Sequence, residues 1–157
     1  LFAIIFVHTN KKEGIFMGEN KNLLCGCLFF ACNKFARELT KLAEDEFKIT
    51  GLSPTYAFAL TIINKSNGIL SSELAGYLDM SPSTITRFVD KLLSKDLVIR
   101  KIEGKNSIIS ASEKGKNLQL IINKAWENLH NSYSEKIGKE EARNLTELLN
   151  NLGDKLK

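Results

Sequence analysis

Ser81-Pro82-Ser83-Thr84-Ile85-Thr86-Arg87-Phe88-Val89-Asp90-Lys91-Leu92-Leu93 carries two patterns at once. Ser81 is a good N-cap and Pro82 suits the first helical position, so a helix starts here. Ile85, Val89 and Leu92 recur at helical spacing and give it one apolar face. Its other face places Ser83, Thr84, Thr86 and Arg87 near the helix start. A helix entering a DNA major groove needs such a surface: side chains short enough for close approach, with donors and acceptors for base edges. Lys91 and Lys95 follow, placed to meet phosphates. An ordinary amphipathic helix with a polar outer face shows the same pattern, so the flanking segments decide.

Upstream, Ile69–Met80 reads I-L-S-S-E-L-A-G-Y-L-D-M. Ser71 or Ser72 can cap a short helix whose Leu74, Ala75 and Leu78 face inward, and 79–82 forms the turn into the second helix. Short helix, tight turn and second helix with a polar N-terminal face is the helix-turn-helix layout. Downstream, Leu97–Ile102 reads as a strand, Glu103–Asn106 as a turn through Gly104, and Ser107–Ala111 as the return strand. The sequence thus predicts a mainly α fold with a small β-hairpin (α+β), a winged helix.

The flanks read as helices. Leu23–Phe47 carries two adjacent apolar stripes, Leu24-Leu28-Ala31-Phe35-Leu39-Leu42 and Cys25-Phe29-Cys32-Ala36-Leu39-Ala43. Together they predict a broad buried arc, wider than one neighbour requires, as for a helix between its own domain and a partner subunit. Ser53-Pro54 opens a helix through about Asn64 with Tyr56, Ala59, Leu60 and Ile63 inside. Ser112-Glu113-Lys114-Gly115 opens a long helix with Leu118, Ile122, Ala125, Leu129 and Tyr133 on one face. Gly138 breaks that pattern, and Lys139–Leu156 follows with Ala142, Leu145, Leu149, Leu152 and Leu156 as a coiled-coil-like seam. The terminal helices are expected to build a homodimer, which presents two recognition helices to a pseudo-palindromic site.

The 157 residues suffice for one domain, and 43% hydrophobic with 25% charged is an ordinary globular composition. A net charge of +4 does not by itself demand a nucleic-acid partner. Its distribution says more: six cations stand against three acids between Arg87 and Lys105, in the half of the domain expected to face DNA. The two His and three Cys form no metal-binding motif, and no phosphate-binding or nucleophile motif occurs. Neither catalysis nor a cofactor is expected. No apolar run reaches the length of a membrane span, and Leu1–Val7 makes a poor signal peptide. No membrane association is expected, and the cytoplasm with reduced cysteines is the expected location. Met17-Gly18 looks like a natural start, so residues 1–16 are expected to be an upstream extension of little functional weight.

The order of parts, and above all L-S-S-E-L-A-G-Y-L-D-M-S-P-S-T-I-T-R-F-V-D-K-L-L-S-K-D-L-V-I-R and S-E-K-G-K, resembles the MarR family of transcriptional regulators from roughly Leu23 to Leu156. The resemblance implies a winged helix-turn-helix with N- and C-terminal dimerisation helices. Residues 1–22 are then an extension and 23–157 a single domain, with 23–47 and 112–157 for pairing and 53–111 for DNA. It also implies a transcriptional regulator, expected to be a repressor, that leaves its double-stranded DNA operator when a small-molecule effector or an oxidant acts. The expected DNA-binding set is Ser81, Ser83, Thr84, Thr86, Arg87, Lys91, Arg100, Lys101 and Lys105. One departure stands out. Family wings carry an arginine that enters the minor groove, whereas this wing is shorter and Lys105, its nearest cation, lacks the guanidinium fork. Binding is therefore expected to rest more on the recognition helix.

Cys25-Gly26-Cys27 resembles a cysteine pattern of some MarR relatives, and with Cys32 it makes redox sensing the sharp expectation beside that of small buried hydrophobes. On an intact helix Cys25 and Cys27 point roughly 200° apart, and Cys25 and Cys32 lie about 10 Å apart along the axis. Neither pair can then bridge, so an intrachain disulfide requires the helix start to unwind; a bridge to the partner subunit is the other route. A small ligand between the pairing helices and the reading domain, near Phe29, Phe30, Tyr56 and Trp126, is the alternative trigger. The rival function is a winged-helix protein-interaction module without DNA binding, which the short wing favours.

Overall fold

The structure is a computed structural model that describes residues 26–104 and 106–156. The extension expected over 1–22, together with Leu23, Leu24, Cys25, Lys105 and Lys157, lies outside the described residues. The chain divides into two compact units after Thr40.

Helix α1 (Leu28–Phe47) crosses that division. Its start differs from the sequence expectation: Gly26 and Cys27 stand outside the helix, and the Cys27 carbonyl accepts the first helical bond from Ala31 N at 3.0 Å. Up to Thr40 the described residues are exposed, including Leu28, Phe29, Phe30, Phe35 and Leu39. The expected buried arc is therefore open within one chain. Phe29 and Phe30 pack edge-to-face on each other, with centroids 5.4 Å apart.

In the second unit, Ala43 and Phe47 at the end of α1 belong to the core. A 3-10 turn (Lys48–Thr50) and Gly51, at φ 67, lead to α2 (Pro54–Lys65). Strand β1 (Ile69–Leu70) is followed directly by α3 (Ser71–Leu78) and then α4 (Pro82–Leu93). Strands β2 (Val98–Glu103) and β3 (Asn106–Ala111) precede α5 (Glu113–Ile137) and α6 (Lys139–Asp154). Gly138, at φ 90, separates the last two helices where the sequence pattern breaks.

The sheet order is β1-β3-β2, all antiparallel. Hairpin pairing runs from Val98↔Ala111 to Glu103↔Asn106, with Gly104 at the tip of the wing. Gly104 sits at φ 61, as tight two-residue hairpin turns demand. Each strand is one residue longer at the tip than the sequence predicts. Strand β1 was not expected; it pairs Ile69 with Ile109 and Leu70 with Ile108 and binds the helix-turn-helix to the wing's base.

Nine side chains are the largest fully buried ones: Phe47, Leu60, Ile63, Leu74, Ile85, Val89, Leu92, Ile109 and Ile122. They come from α1, α2, α3, α4, β3 and α5. Each contributes about 1.5–3 kcal/mol by leaving water, so this cluster holds the reading elements on one core. The expected inward faces of α4 and α5 are the observed ones: Ile85, Val89 and Leu92 on α4, and Ile122, Ala125 and Leu129 on α5. On α6 only Ala142 is buried, while Leu148, Leu149 and Leu152 are exposed, as is Leu156 just beyond the helix. Among the described residues no helix is long and apolar enough to cross a membrane.

Candidate nucleic-acid interface

Helix α3 ends where Asp79 takes the left-handed conformation (φ 50) and Met80 N–H returns to the Ala75 carbonyl at 3.0 Å. A short polar side chain makes aspartate tolerant of that backbone. At the helix's other end the expected serine cap is replaced. The N-cap position is Leu70, and the Glu73 carboxylate accepts from Leu70 N–H at 2.9 Å. The three-residue passage into α4, Asp79 to Ser81, thus leaves α3 with a fixed backbone geometry.

Ser81 caps α4 as expected and is the hub of a hydroxyl cluster. Its Oγ accepts from Thr84 N–H at 3.3 Å and lies 3.0 Å from Ser83 Oγ and 2.9 Å from Thr84 Oγ1. Thr86 Oγ1 donates to the Pro82 carbonyl at 3.0 Å. Ser81, Ser83 and Thr86 are exposed; Thr84 is half-buried. These local bonds fix where the hydroxyl oxygens point while leaving acceptor capacity for a base edge.

Arg87 lies one turn further on, exposed and without an ion pair among the described residues. Its i,i+3 neighbour Asp90 is the natural local partner. Asp90 instead receives Arg100 from β2, with Nη2–Oδ1 at 2.8 Å. Arg100 is therefore committed: its side chain is only 27% exposed, and Nε is buried without a hydrogen-bond partner. It fastens the first half of the wing to α4.

The remaining expected cations differ in freedom. Lys91 is exposed near the end of α4 and has no ion pair among the described residues. Lys101 is exposed and bonded to Glu103 at 2.6 Å. Lys95 reaches back to the Gly51 carbonyl at 3.3 Å, which ties the end of α4 to the loop before α2. Lys105 lies outside the described residues. Two of the six cations, Arg100 and Lys101, are thus paired with acids of the same stretch. Sequence reasoning missed Asp90 as a partner, because its pairing spans ten residues and depends on the sheet.

Cys27 and Cys32 are free and exposed, whereas Cys25 lies outside the described residues. Among the described residues no group of three His, Cys, Asp or Glu side chains could hold a metal ion. Two of the aromatics considered for a ligand crevice are used in packing. Tyr56 stacks on Phe88 (4.3 Å, 26°), and Trp126 stands edge-on to Phe47 (4.7 Å) and Phe58 (5.8 Å). An open pocket of about 660 Å³ lies instead between α5 and α6, lined by His130, Tyr133, the cations Lys139 and Arg143 and the acids Glu140 and Glu147.

Residues 52–106 match the model of the MarR family. The chain is 30% identical over 127 residues to the HTH-type transcriptional regulator SarZ of two Staphylococcus epidermidis strains, covering 79% of this chain and 82% of the relative. Its fold is shared with CouR from Rhodococcus jostii RHA1 bound to p-coumaroyl-CoA (TM-score 0.70, 22% identity, 82% of this chain and 93% of that one). A CouR complex with a 23-mer DNA duplex superposes with a TM-score of 0.78 at 16% identity, over 87% of this chain and 99% of that one.

Proposed function

This chain belongs to the MarR family, and from that membership we propose that it works as a homodimer in the cytoplasm, with α4 in the major groove of a pseudo-palindromic DNA operator. The observation that carries the proposal is the outer face of α4. There Arg87, without an ion pair among the described residues, and the pre-oriented hydroxyls of Ser81, Ser83 and Thr86 stand exposed, with Thr84 half-buried beside them, above a fully buried inner face. Arg87 reads a guanine edge by its bidentate fork, and the hydroxyls read neighbouring bases. Lys91, Lys101 and Lys105 hold phosphates, which position without specifying. Arg100 acts one step back, holding the wing against α4.

Pairing uses the exposed apolar side chains that the single chain leaves open: Phe29, Phe30, Phe35 and Leu39 on α1, Leu149 and Leu152 on α6, and Leu156 just beyond it. Apolar surface of this extent on terminal helices marks an association site. The protein is a repressor, released by oxidation at Cys27, Cys32 or Cys25, or by a small ligand. CouR, a fold neighbour, binds p-coumaroyl-CoA, and the α5–α6 pocket, whose wall carries Lys139 and Arg143 beside Glu140 and Glu147, is the candidate place for a small effector here.

The test is selection of duplexes from a random pool by the purified protein, followed by affinity measurements over a salt series. A palindromic consensus with steep salt dependence is expected. No enrichment, with no salt-dependent affinity for any duplex, would replace this reading with that of a protein-interaction module.

A further inference from the structure

The first turn of α5 grips the turn between α4 and β2. Ser112 Oγ donates to the Asp96 carbonyl at 2.6 Å, and Ser112 N–H donates to the Leu97 carbonyl at 3.1 Å. Lys114 Nζ donates to the Lys95 carbonyl at 2.7 Å and lies 3.9 Å from the Asp96 carboxylate. Three consecutive carbonyls, of Lys95, Asp96 and Leu97, are thus held from one helix end. The same Ser112 Oγ accepts from Gly115 N–H at 3.0 Å, so one hydroxyl both caps α5 and holds the turn. Gly115 makes the approach possible: a Cβ there would sit 2.0 Å from the Leu97 carbonyl oxygen. Asp96 is at φ 59, a conformation that persists in a non-glycine residue where its surroundings impose it.

The gripped turn sets the direction in which β2 leaves α4. Leu97 N–H also returns to the Leu92 carbonyl at 3.0 Å, closing the last turn of α4 against the same point. We propose that Ser112, Lys114 and Gly115 are positioning residues for DNA reading. They fix the angle between α4 and the wing and lock both to α5, without themselves meeting DNA. The inference rests on the reading of α4 and the wing as the DNA-binding elements. Base contacts demand alignment of α4 and the wing on one duplex, whereas attraction to phosphates tolerates misalignment. Loosening the grip therefore removes specificity before it removes affinity.

The experiment compares the full-length parent with Ser112→Ala, Ser112→Thr, Lys114→Ala and Gly115→Ala. Each is titrated with the duplex that the parent selects from a random pool and with an unrelated duplex of equal length, well below the measured melting temperature. Ser112→Ala, which removes both bonds of the Ser112 hydroxyl, is expected to weaken the selected duplex about five- to tenfold, with the unrelated duplex held within about twofold. Ser112→Thr, which keeps the hydroxyl, restores the parent's ratio. Lys114→Ala moves the ratio in the same direction. Gly115→Ala moves it furthest where it folds; Ser112→Ala decides if it does not. Equal loss on both duplexes, or no loss on either, would overturn the inference while a parent that selects a consensus leaves the DNA-binding reading intact. A parent that selects nothing would overturn both.

Discussion

Replacing Arg100 by alanine separates two roles that a cation in a wing can have. As a phosphate contact, Arg100 contributes one ion release per protomer. Its loss from a dimer would flatten the plot of log affinity against log salt by about 1.8, from about 0.9 per phosphate. The structure points to a strut instead. The Asp90 pair is 2.8 Å long, with Arg100 27% and Asp90 55% exposed. An exposed pair is worth about 0.2–1 kcal/mol, and this one sits at the upper end because the guanidinium is largely sheltered. The arginine stem adds packing that alanine cannot replace. Against this, deletion relieves the buried, unpartnered Nε and returns Asp90 to water. The net expectation is a loss of about 1 kcal/mol, or about 2–4 °C in Tm for a chain of this size. Thermal unfolding measures that loss, and fluorescence anisotropy across a salt series measures the slope, which is expected to stay at the parent value. A double-mutant cycle with Asp90→Ala is expected to return a coupling of about 1 kcal/mol. An unchanged Tm with a slope flattened by about 1.8 would refute the strut and make Arg100 a phosphate contact.

Other substitutions test the remaining assignments. Arg87→Ala is expected to weaken the selected duplex by about 1–3 kcal/mol and to relax preference at one base position per half-site; unchanged selectivity in a repeated pool selection would remove Arg87 from base reading. Lys101→Ala is expected to flatten the salt slope and to weaken all duplexes alike, with little change in Tm, because its bond to Glu103 is exposed. Leu149→Glu, on the open face of α6, is expected to shift the protein from dimer to monomer in sedimentation while the helical circular dichroism is kept; an unchanged dimer would place the pairing surface elsewhere. If oxidation is the release signal, joint replacement of Cys25, Cys27 and Cys32 by serine leaves operator binding indifferent to mild peroxide, and a parent already indifferent would shift the signal to a small ligand.

Local chemistry made much of the reading segment legible. Ser81-Pro82 starts a helix by capping and by fixed φ, and the spacing of Ile85, Val89 and Leu92 selects its inner face. Gly138 and Gly104 punctuate the chain because their backbone conformations favour glycine. Strand β1 stayed hidden because two residues carry no period; Ile69 and Leu70 become a strand only through β3. The serine cap read from the sequence fails for α3 because the helix starts one residue earlier, with Leu70 at the N-cap and its N–H taken by Glu73 three residues on.

The sequence by itself determined the order of the helices and the wing, the buried face of each reading helix and the residues that face outward from α4. These follow from interactions within about four positions, which spacing records directly. Only the tertiary structure decided which of the outward charges are free. Asp90 is as close in sequence to Arg87 as an ion pair on one helix requires, yet the sheet delivers Arg100 to it and leaves Arg87 without an ion pair among the described residues. The same holds for Ser112, Lys114 and Gly115, whose partners at Lys95, Asp96 and Leu97 lie across a folded hairpin. Pairing across such distances depends on where the core places the backbone, and no periodicity in the chain encodes it.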